Sequence, residues 1–303
     1  MRNHVIVAKS DDSELSDDLK KATDIAYATL MRLIDPALQK QFAEDGFPDT
    51  MCHYTDFWGL KGILETGALW ATYAQTLNDD SEIDYGVNVV KEYVKRFPDT
   101  NIASRLLATI DGMNERTFAC CFCERSSLLS MWIGYAKRGG GYCLEFKGND
   151  GLLESSFPPF PNRLPFKMSY GAVLPKAVEQ MLEYACEFAR QGEIETIVSS
   201  SWIKKLALRF KHPAFMHEEE RRIVIPDPPV SAMRFRAGDA DVKPYIELHP
   251  VARDGSRNLP LKRIIFGPTL RQDKVITEAI GLMLERYGYS GIPVEPCGIP
   301  YRH

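Results

Sequence analysis

Residues 52–72 read CHYTDFWGLKGILETGALWAT and place a polar triplet, a helix and a strand in direct succession. Apolar residues recur at helical spacing between Asp56, which can serve as an N-cap, and Gly67, which can end the helix. The following ALWATYA has the apolar and aromatic content of a short strand. This stretch therefore indicates a chain in which helices and strands alternate.

The triplet His53, Tyr54 and Thr55 is the part of this stretch that helix capping does not explain. An ordinary hydrogen-bonded histidine before a helix is one interpretation. The other is that the three side chains belong to a binding site, because each of them can donate or accept hydrogen bonds.

The rest of the chain has the same mixed character. A helix is predicted from Leu19 to Ala43 with a break at Pro36, and RSSLLSMWIGYAKRGGG is interpreted as a serine-capped helix. A further amphipathic helix is predicted over residues 273–287. Strand-like segments are RTFACCFCE, YCLEF, RRIVIP, YIELH, KRIIFG and IPVEP.

This pattern predicts an α+β fold, with a mixed or antiparallel central sheet and packed helices. Residues 1–45 are expected to form an N-terminal helical arm. Residues 46–303 are expected to form a single α+β domain with a helical insertion at about 175–210.

Composition excludes few functions. With 45% apolar and 26% charged residues the chain is typical of globular proteins, and its net charge of −4 implies no global attraction to nucleic acid or membranes. No signal peptide and no apolar run of about 18 residues is seen. The odd number of cysteines, 7, then predicts reduced thiols in a cytoplasmic protein without membrane contact.

The cysteine-rich segment CCFC is the most obvious candidate for a metal site. Cys121 and Cys123 alternate along a strand, but no second Cys/His pair stands at a suitable spacing. A buried strand with small apolar thiols is the preferred interpretation, and no metal is predicted.

Acidic residues precede the strand RRIVIP. If HEEERRIV is extended throughout, Glu218, Glu220 and Arg222 share one face, while Glu219 and Arg221 share the other. Two carboxylates on one face raise one pKa, an effect that Arg222 can counter.

Five segments in order resemble a bacterial family, the domain of unknown function 2971. They lie between about residues 50 and 270 and read HYTDFWGLKGILETGALWAT, LNDDSE, FCERSSLLSMWIGYAKRGGGYCLEF, FKHPAFMHEEERRIV and KRIIFGP. This resemblance by itself implies no activity.

A more distant resemblance is to ADP-ribosyltransferases, especially the toxins that modify DNA. It rests on the H-x-T triplet followed by a helix ending IL-x-x-G, on FACCFCERSSLLSMW, and on a glutamate that opens an apolar strand, here Glu220. It implies an ADP-ribosyltransferase-like fold and NAD as substrate.

The resemblance also implies roles for individual residues. His53 would bind the adenosine ribose, Tyr135 or Trp132 would stack on the nicotinamide, and Glu220, or Glu218 in second place, would bind the ribose 2′-hydroxyl and stabilise the oxocarbenium charge. Tyr54, Thr55 and Arg222 are assigned to the same nucleotide-binding group.

The expected function is therefore transfer of ADP-ribose from NAD to a nucleic acid or protein, or hydrolysis of NAD, in a toxin or phage-defence effector. One alternative is a non-enzymatic module that binds a nucleotide or a protein. The second is a metal-dependent nuclease, which requires four carboxylates to converge on a divalent ion. These carboxylates are those of Asp79, Asp80, Glu218 and Glu220.

Overall fold

The structure is a computed structural model, which describes most of the chain. The described residues are 17–77, 82–113, 115–152, 156–158, 165–237, 242–252, 255, 258–271 and 273–301. Within these ranges, no helix is long and apolar enough to cross a membrane. Asp79 and Asp80 of the nuclease alternative lie outside the described residues.

Helices and strands are mixed along the described chain. The helices are α1 Asp17–Asp45, α2 Phe57–Thr66, α3 Glu82–Val94, α4 Thr100–Gly112, α5 Leu129–Tyr135, α6 Lys176–Phe188, α7 Glu193–Ala207 and α8 Asp273–Arg286. The strands are β1 Thr50–Thr55, β2 Leu69–Tyr73, β3 Thr117–Cys123, β4 Tyr142–Lys147, β5 Phe166–Lys167, β6 Ser169–Tyr170, β7 Phe210–Lys211, β8 Glu220–Pro226, β9 Arg234–Ala237, β10 Val242–Leu248, β11 Leu261–Phe266 and β12 Val294–Pro296.

The main sheet is open, mixed and mostly antiparallel, and helices pack around it. Its strands run in the order β12-β11-β4-β1-β3-β2-β10-β9, with β8 on β3 and β5 on β8. Only β11 and β12 are parallel among its described pairs, and β6 and β7 form a small parallel sheet beside it. The coarse prediction of an α+β fold with a mixed or antiparallel sheet is confirmed.

The sheet splits next to β3. β8 pairs with β3 along its whole length, from Thr117 to Cys123, and so occupies one edge of that strand. A strand has only two hydrogen-bonding edges, so β1 and β2 share the other one. β1 meets it at Cys123 and β2 meets it at Phe118 and Ala119. Because β1 and β2 contact opposite ends of β3, a gap separates them opposite the middle of that strand.

Four apolar clusters hold the described layers together, and the smallest of them contains Ala119, Leu208 and Val224. The largest joins one face of the sheet to α2 and α8, through residues such as Leu60 and Ile280. A second consists of α1, α3, α4, α6 and α7. A third packs Trp132 of α5 against Tyr54 of β1.

Two local predictions about helix ends were wrong. Pro36 does not break α1, which continues to Asp45. Leu30, Ile34 and Ala37 on both sides of it are buried, and this packing outweighs the lost backbone hydrogen bond. The helix α5 has Leu128 at its N-cap and no side-chain cap, so the predicted serine cap is absent there.

The polar triplet forms the last three residues of the strand β1. β1 pairs with β4 from Thr50 to Thr55, and Met51, Cys52 and Tyr54 are buried. The helix cap was predicted correctly, because the Asp56 carboxylate accepts a hydrogen bond from Gly59 N at 2.8 Å. The buried-strand interpretation of CCFC is confirmed by β3.

Candidate functional site

A cavity of about 780 Å³ lies where β1 and β2 separate along β3. Residues of β1, β2, β3, β8, β9 and α5 line it together with Lys211 and Glu218. The polar, charged and aromatic residues that line the cavity include His53, Tyr54, Thr55, Asp56, Trp58, Trp70, Thr72, Cys121, Tyr135, Lys137, Arg138, Lys211, Glu218, Glu220, Arg222, Arg236 and Lys243.

The His53 side chain links β1 to the middle of β3. Its Nδ1 lies 2.9 Å from the carbonyl oxygen of Cys121, in the part of β3 between its contacts with β1 and β2. A carbonyl only accepts, so Nδ1 carries the proton, and in neutral histidine Nε2 is then an acceptor. Burial and the charge of Arg236 lower the pKa of His53 below 6.5, although the bond to Cys121 opposes them. His53 is therefore neutral at pH 7.

Tyr54 and Thr55 are held by tertiary contacts. The Tyr54 hydroxyl donates to the Arg125 carbonyl at 2.9 Å, and its ring meets Trp132 edge-on at 5.0 Å between centroids. Thr55 lies against the first turn of α2, where a Cβ on Gly59 would stand 1.9 Å from its Oγ1. Both residues line the cavity, and their positions depend on α2 and α5.

Four charged residues form a buried ionic cluster at one end of the cavity. Lys211 Nζ donates to Glu218 Oε2 at 2.5 Å and to Glu220 Oε2 at 2.8 Å. Arg222 donates to Glu220 through Nε at 2.5 Å and through Nη2 at 2.8 Å. All four side chains are at most 6% exposed. The two positive charges balance the two negative ones.

The position of Glu218 differs from the sequence prediction. Glu220 and Arg222 do share a face of β8, as expected, and Arg221 lies on the opposite face and reaches Glu124. Glu218, however, ends the 3₁₀ turn Pro213–Glu218 and is not part of the strand. Glu219 then has a left-handed φ of 47°, which turns the chain into β8.

Glu220 stays ionised despite its burial. Burial raises its pKa, but the charges of Arg222 and Lys211 and their hydrogen bonds outweigh burial and lower the pKa below its usual range. The backbone N–H of Glu220 donates to the Tyr170 hydroxyl at 2.8 Å. A carboxylate has about four lone-pair positions. Three hydrogen bonds from Lys211 and Arg222 occupy three of these positions on Glu220.

The two aromatic residues predicted on α5 occupy different places. Tyr135 lines the cavity, and its hydroxyl donates to Glu218 Oε1 at 2.8 Å. Trp132 is fully buried, and its indole N–H donates to the Ser126 carbonyl at 3.0 Å. The structure thus brings Tyr135 together with His53 and Glu220, whereas Trp132 lies behind the cavity wall in the apolar core.

The cavity carries an excess of positive charge in a chain with a net charge of −4. Among the described residues, six basic and three acidic side chains line it. The basic ones outside the ionic cluster are Lys137, Arg138, Arg236 and Lys243. Lys137 and Arg138 both have left-handed backbones, with φ of 46° and 53°. Such a cavity favours an anionic ligand.

Sequence reasoning missed Lys211 and Arg236. Lys211 lies on β7, whose two residues pair with β6 outside the main sheet, so no strand pattern marks it. Its position four residues after the end of α7 at Ala207 gave no signal either. Arg236 lies on an edge strand whose side chains are mostly exposed, which is a pattern typical of solvated residues.

Within the described residues, no group of three or more His, Cys, Asp or Glu side chains is arranged to hold a metal ion. Glu218 and Glu220 are instead engaged by Lys211.

Comparison with known proteins gives one match. Residues 131–223 match the family model described as "Protein of unknown function (DUF2971)". The resemblance to the domain of unknown function 2971 is confirmed over this stretch, which runs from α5 into β8 and includes Tyr135, Lys211 and Glu220. Neither a curated protein nor a solved structure matches the chain.

Proposed function

We propose that the cavity binds NAD or a closely related nucleotide, and that the protein transfers ADP-ribose from NAD to a macromolecular acceptor or to water. The observation that carries this proposal is the convergence of His53, Tyr135 and Glu220 on one basic cavity. The proposal extends to the fold, which would then be ADP-ribosyltransferase-like.

The residue chemistry supports this assignment. His53 offers a neutral Nε2 that can accept a hydrogen bond from a ribose hydroxyl, and Tyr135 offers an aromatic ring at the cavity wall. Glu220 is ionised and has one acceptor position left for the ribose 2′-hydroxyl of the nicotinamide riboside. Its negative charge would stabilise the positive charge that develops at C1′.

The reaction requires little covalent chemistry from the protein. The bond between ribose C1′ and the nicotinamide nitrogen breaks, and its electron pair leaves with nicotinamide. The acceptor oxygen or nitrogen, or water, forms the new bond at C1′ and releases one proton to solvent. Orientation of the two reactants and placement of charge supply the rate enhancement.

Release of nicotinamide from NAD tests the proposal. Purified protein is expected to release nicotinamide, and Glu220→Gln is expected to reduce the rate at least about 100-fold, as the loss of a charge-stabilising group does elsewhere. Glu219→Gln is the matched control, because Glu219 pairs with Arg125 and does not line the cavity. If wild-type protein binds no NAD by calorimetry, the proposal is wrong.

A non-enzymatic nucleotide-binding module is the second candidate. The observation that favours it is that three hydrogen bonds from Lys211 and Arg222 already hold the Glu220 carboxylate, which reduces the negative charge it presents. NAD binding without nicotinamide release, with any acceptor, would select this candidate.

A further inference from the structure

Arg236 is held in a defined position in the cavity wall. It lies on β9 and is half-buried, and its Nη2 donates to Thr72 Oγ1 at 3.3 Å. Its guanidinium carbon lies 5.7 Å from the centre of the Trp70 ring, at cation–π distance. These contacts come from β2, so the strand that borders the gap also orients the arginine.

Lys243 stands directly opposite Arg236. The two residues are Cα partners in the antiparallel pair of β9 and β10, so their side chains leave the sheet on the same face. Both line the cavity, and Lys243 is half-buried. Like charges directly opposite each other on neighbouring strands destabilise a sheet. An anion between them would remove this repulsion.

The three acidic residues among the described lining have partners of their own. Glu218 and Glu220 are already balanced by Lys211 and Arg222. Asp56, the remaining acidic residue among the described lining, caps α2 through its bond with Gly59 N. Four further basic residues line the cavity beside the ionic cluster: Arg236 and Lys243 are half-buried, and Lys137 and Arg138 are exposed.

We infer that Arg236 and Lys243 form a phosphate-binding subsite, which selects ligands that carry a diphosphate over the corresponding nucleosides. This inference rests on the proposed function and adds the group that the ligand must have. It also orients the ligand. His53 and Arg236 line the same cavity, so this proposal assigns a ribose hydroxyl to His53 Nε2 and the phosphate of the same nucleotide to Arg236. The second riboside then extends toward Tyr135 and Glu220.

Binding measurements on charge-neutral variants test the inference. NAD, ADP-ribose, adenosine and nicotinamide riboside are titrated into wild-type protein, Arg236→Gln and Lys243→Gln by calorimetry at one salt concentration. Arg236→Gln is expected to weaken NAD and ADP-ribose about 10- to 100-fold, the usual loss for a hydrogen bond to a charged group. It is expected to leave the two nucleosides within about twofold.

Arg234→Gln is the matched control on the same strand. Arg234 pairs with Glu247 at 3.0 Å, is 59% exposed and does not line the cavity, so its loss is expected to leave all four affinities within about twofold. Thermal unfolding of the ligand-free variants checks their folding. Removal of one of two facing like charges is expected to leave the midpoint unchanged or to raise it.

The outcomes separate the two proposals. If wild-type protein binds neither NAD nor ADP-ribose, the proposed function fails and the subsite fails with it. If wild-type protein binds NAD and folded Arg236→Gln binds it equally well, only the phosphate subsite is overturned. An equal loss of affinity for nucleosides and diphosphates in Arg236→Gln also overturns the subsite, because the arginine would then shape the cavity without recognising phosphate.

Discussion

Lys211 is expected to be the residue on which the charge balance of the cavity depends. It donates to both Glu218 and Glu220, and its side chain is 3% exposed. Lys211→Met keeps most of the volume and removes the charge, which leaves two buried carboxylates opposite the single guanidinium of Arg222. Breaking a buried ion pair by removing one partner costs about 3–5 kcal/mol. We expect a loss of that size in the free energy of unfolding.

A double variant tests whether charge is the cause. Lys211→Met combined with Glu218→Gln leaves Glu220 and Arg222 as a neutral pair, and the glutamine oxygen can still accept the hydrogen bond from Tyr135. The double variant is therefore expected to be about 2 kcal/mol or more stable than the single one, since a buried uncompensated charge is worth at least that much.

Urea unfolding at pH 7 measures both effects. Lys61→Met serves as control, because Lys61 forms an exposed pair with Glu65 on α2 and its loss is expected to leave the midpoint unchanged. A Lys211→Met midpoint equal to that of wild type would refute the reasoning. So would a double variant that is no more stable than Lys211→Met, since volume and not charge would then explain the loss.

Three further predictions concern pH and packing. The folded pKa of His53 lies below 6.5, so its contribution to stability is present above pH 6.5 and is lost as the pH falls toward the folded pKa. His53→Gln should therefore reduce the change in the thermal unfolding midpoint between pH 7.5 and 5.5. Glu220 contributes stability above its unfolded pKa of 4.5 that is lost as the pH falls to about 2, so Glu220→Gln should reduce the acid sensitivity of the midpoint in that range. Gly59→Ala should destabilise the protein by about 1–3 kcal/mol through its clash with Thr55, whereas Gly281→Ala, with open space around it on α8, should be neutral or stabilising in the same thermal unfolding assay.

Much of the fold was predictable because local physics determines it. The helix α2 begins after Asp56 and ends before Gly67, where the cap hydrogen bond and a left-handed φ of 63° belong. The apolar strand β8 and the helix α8 follow from periodicity. The strand β1 was missed because its half-buried His53 and Thr55 obscure the apolar alternation of Met51 and its neighbours.

The site was predictable only in part. The motif residues His53, Tyr135 and Glu220 do line one cavity, but the groups that set its electrostatics come from elsewhere. The 3₁₀ turn Pro213–Glu218 brings Lys211 close to the two glutamates. The pairing of β9 with β10 brings Arg236 to the cavity. Strand pairing between distant segments leaves no pattern in the local sequence, so neither residue stood out.

The placement of the tryptophans gives the protein an optical signal of its own. Trp58, which is 70% exposed, and Trp70 line the cavity, whereas Trp132 and Trp202 are buried away from it. A ligand that displaces water from the cavity changes the polarity around the first two indoles and leaves the other two as a constant background. Intrinsic fluorescence can therefore follow occupancy in real time without a dye, and Trp58→Phe and Trp70→Phe would divide the emission change between the two indoles.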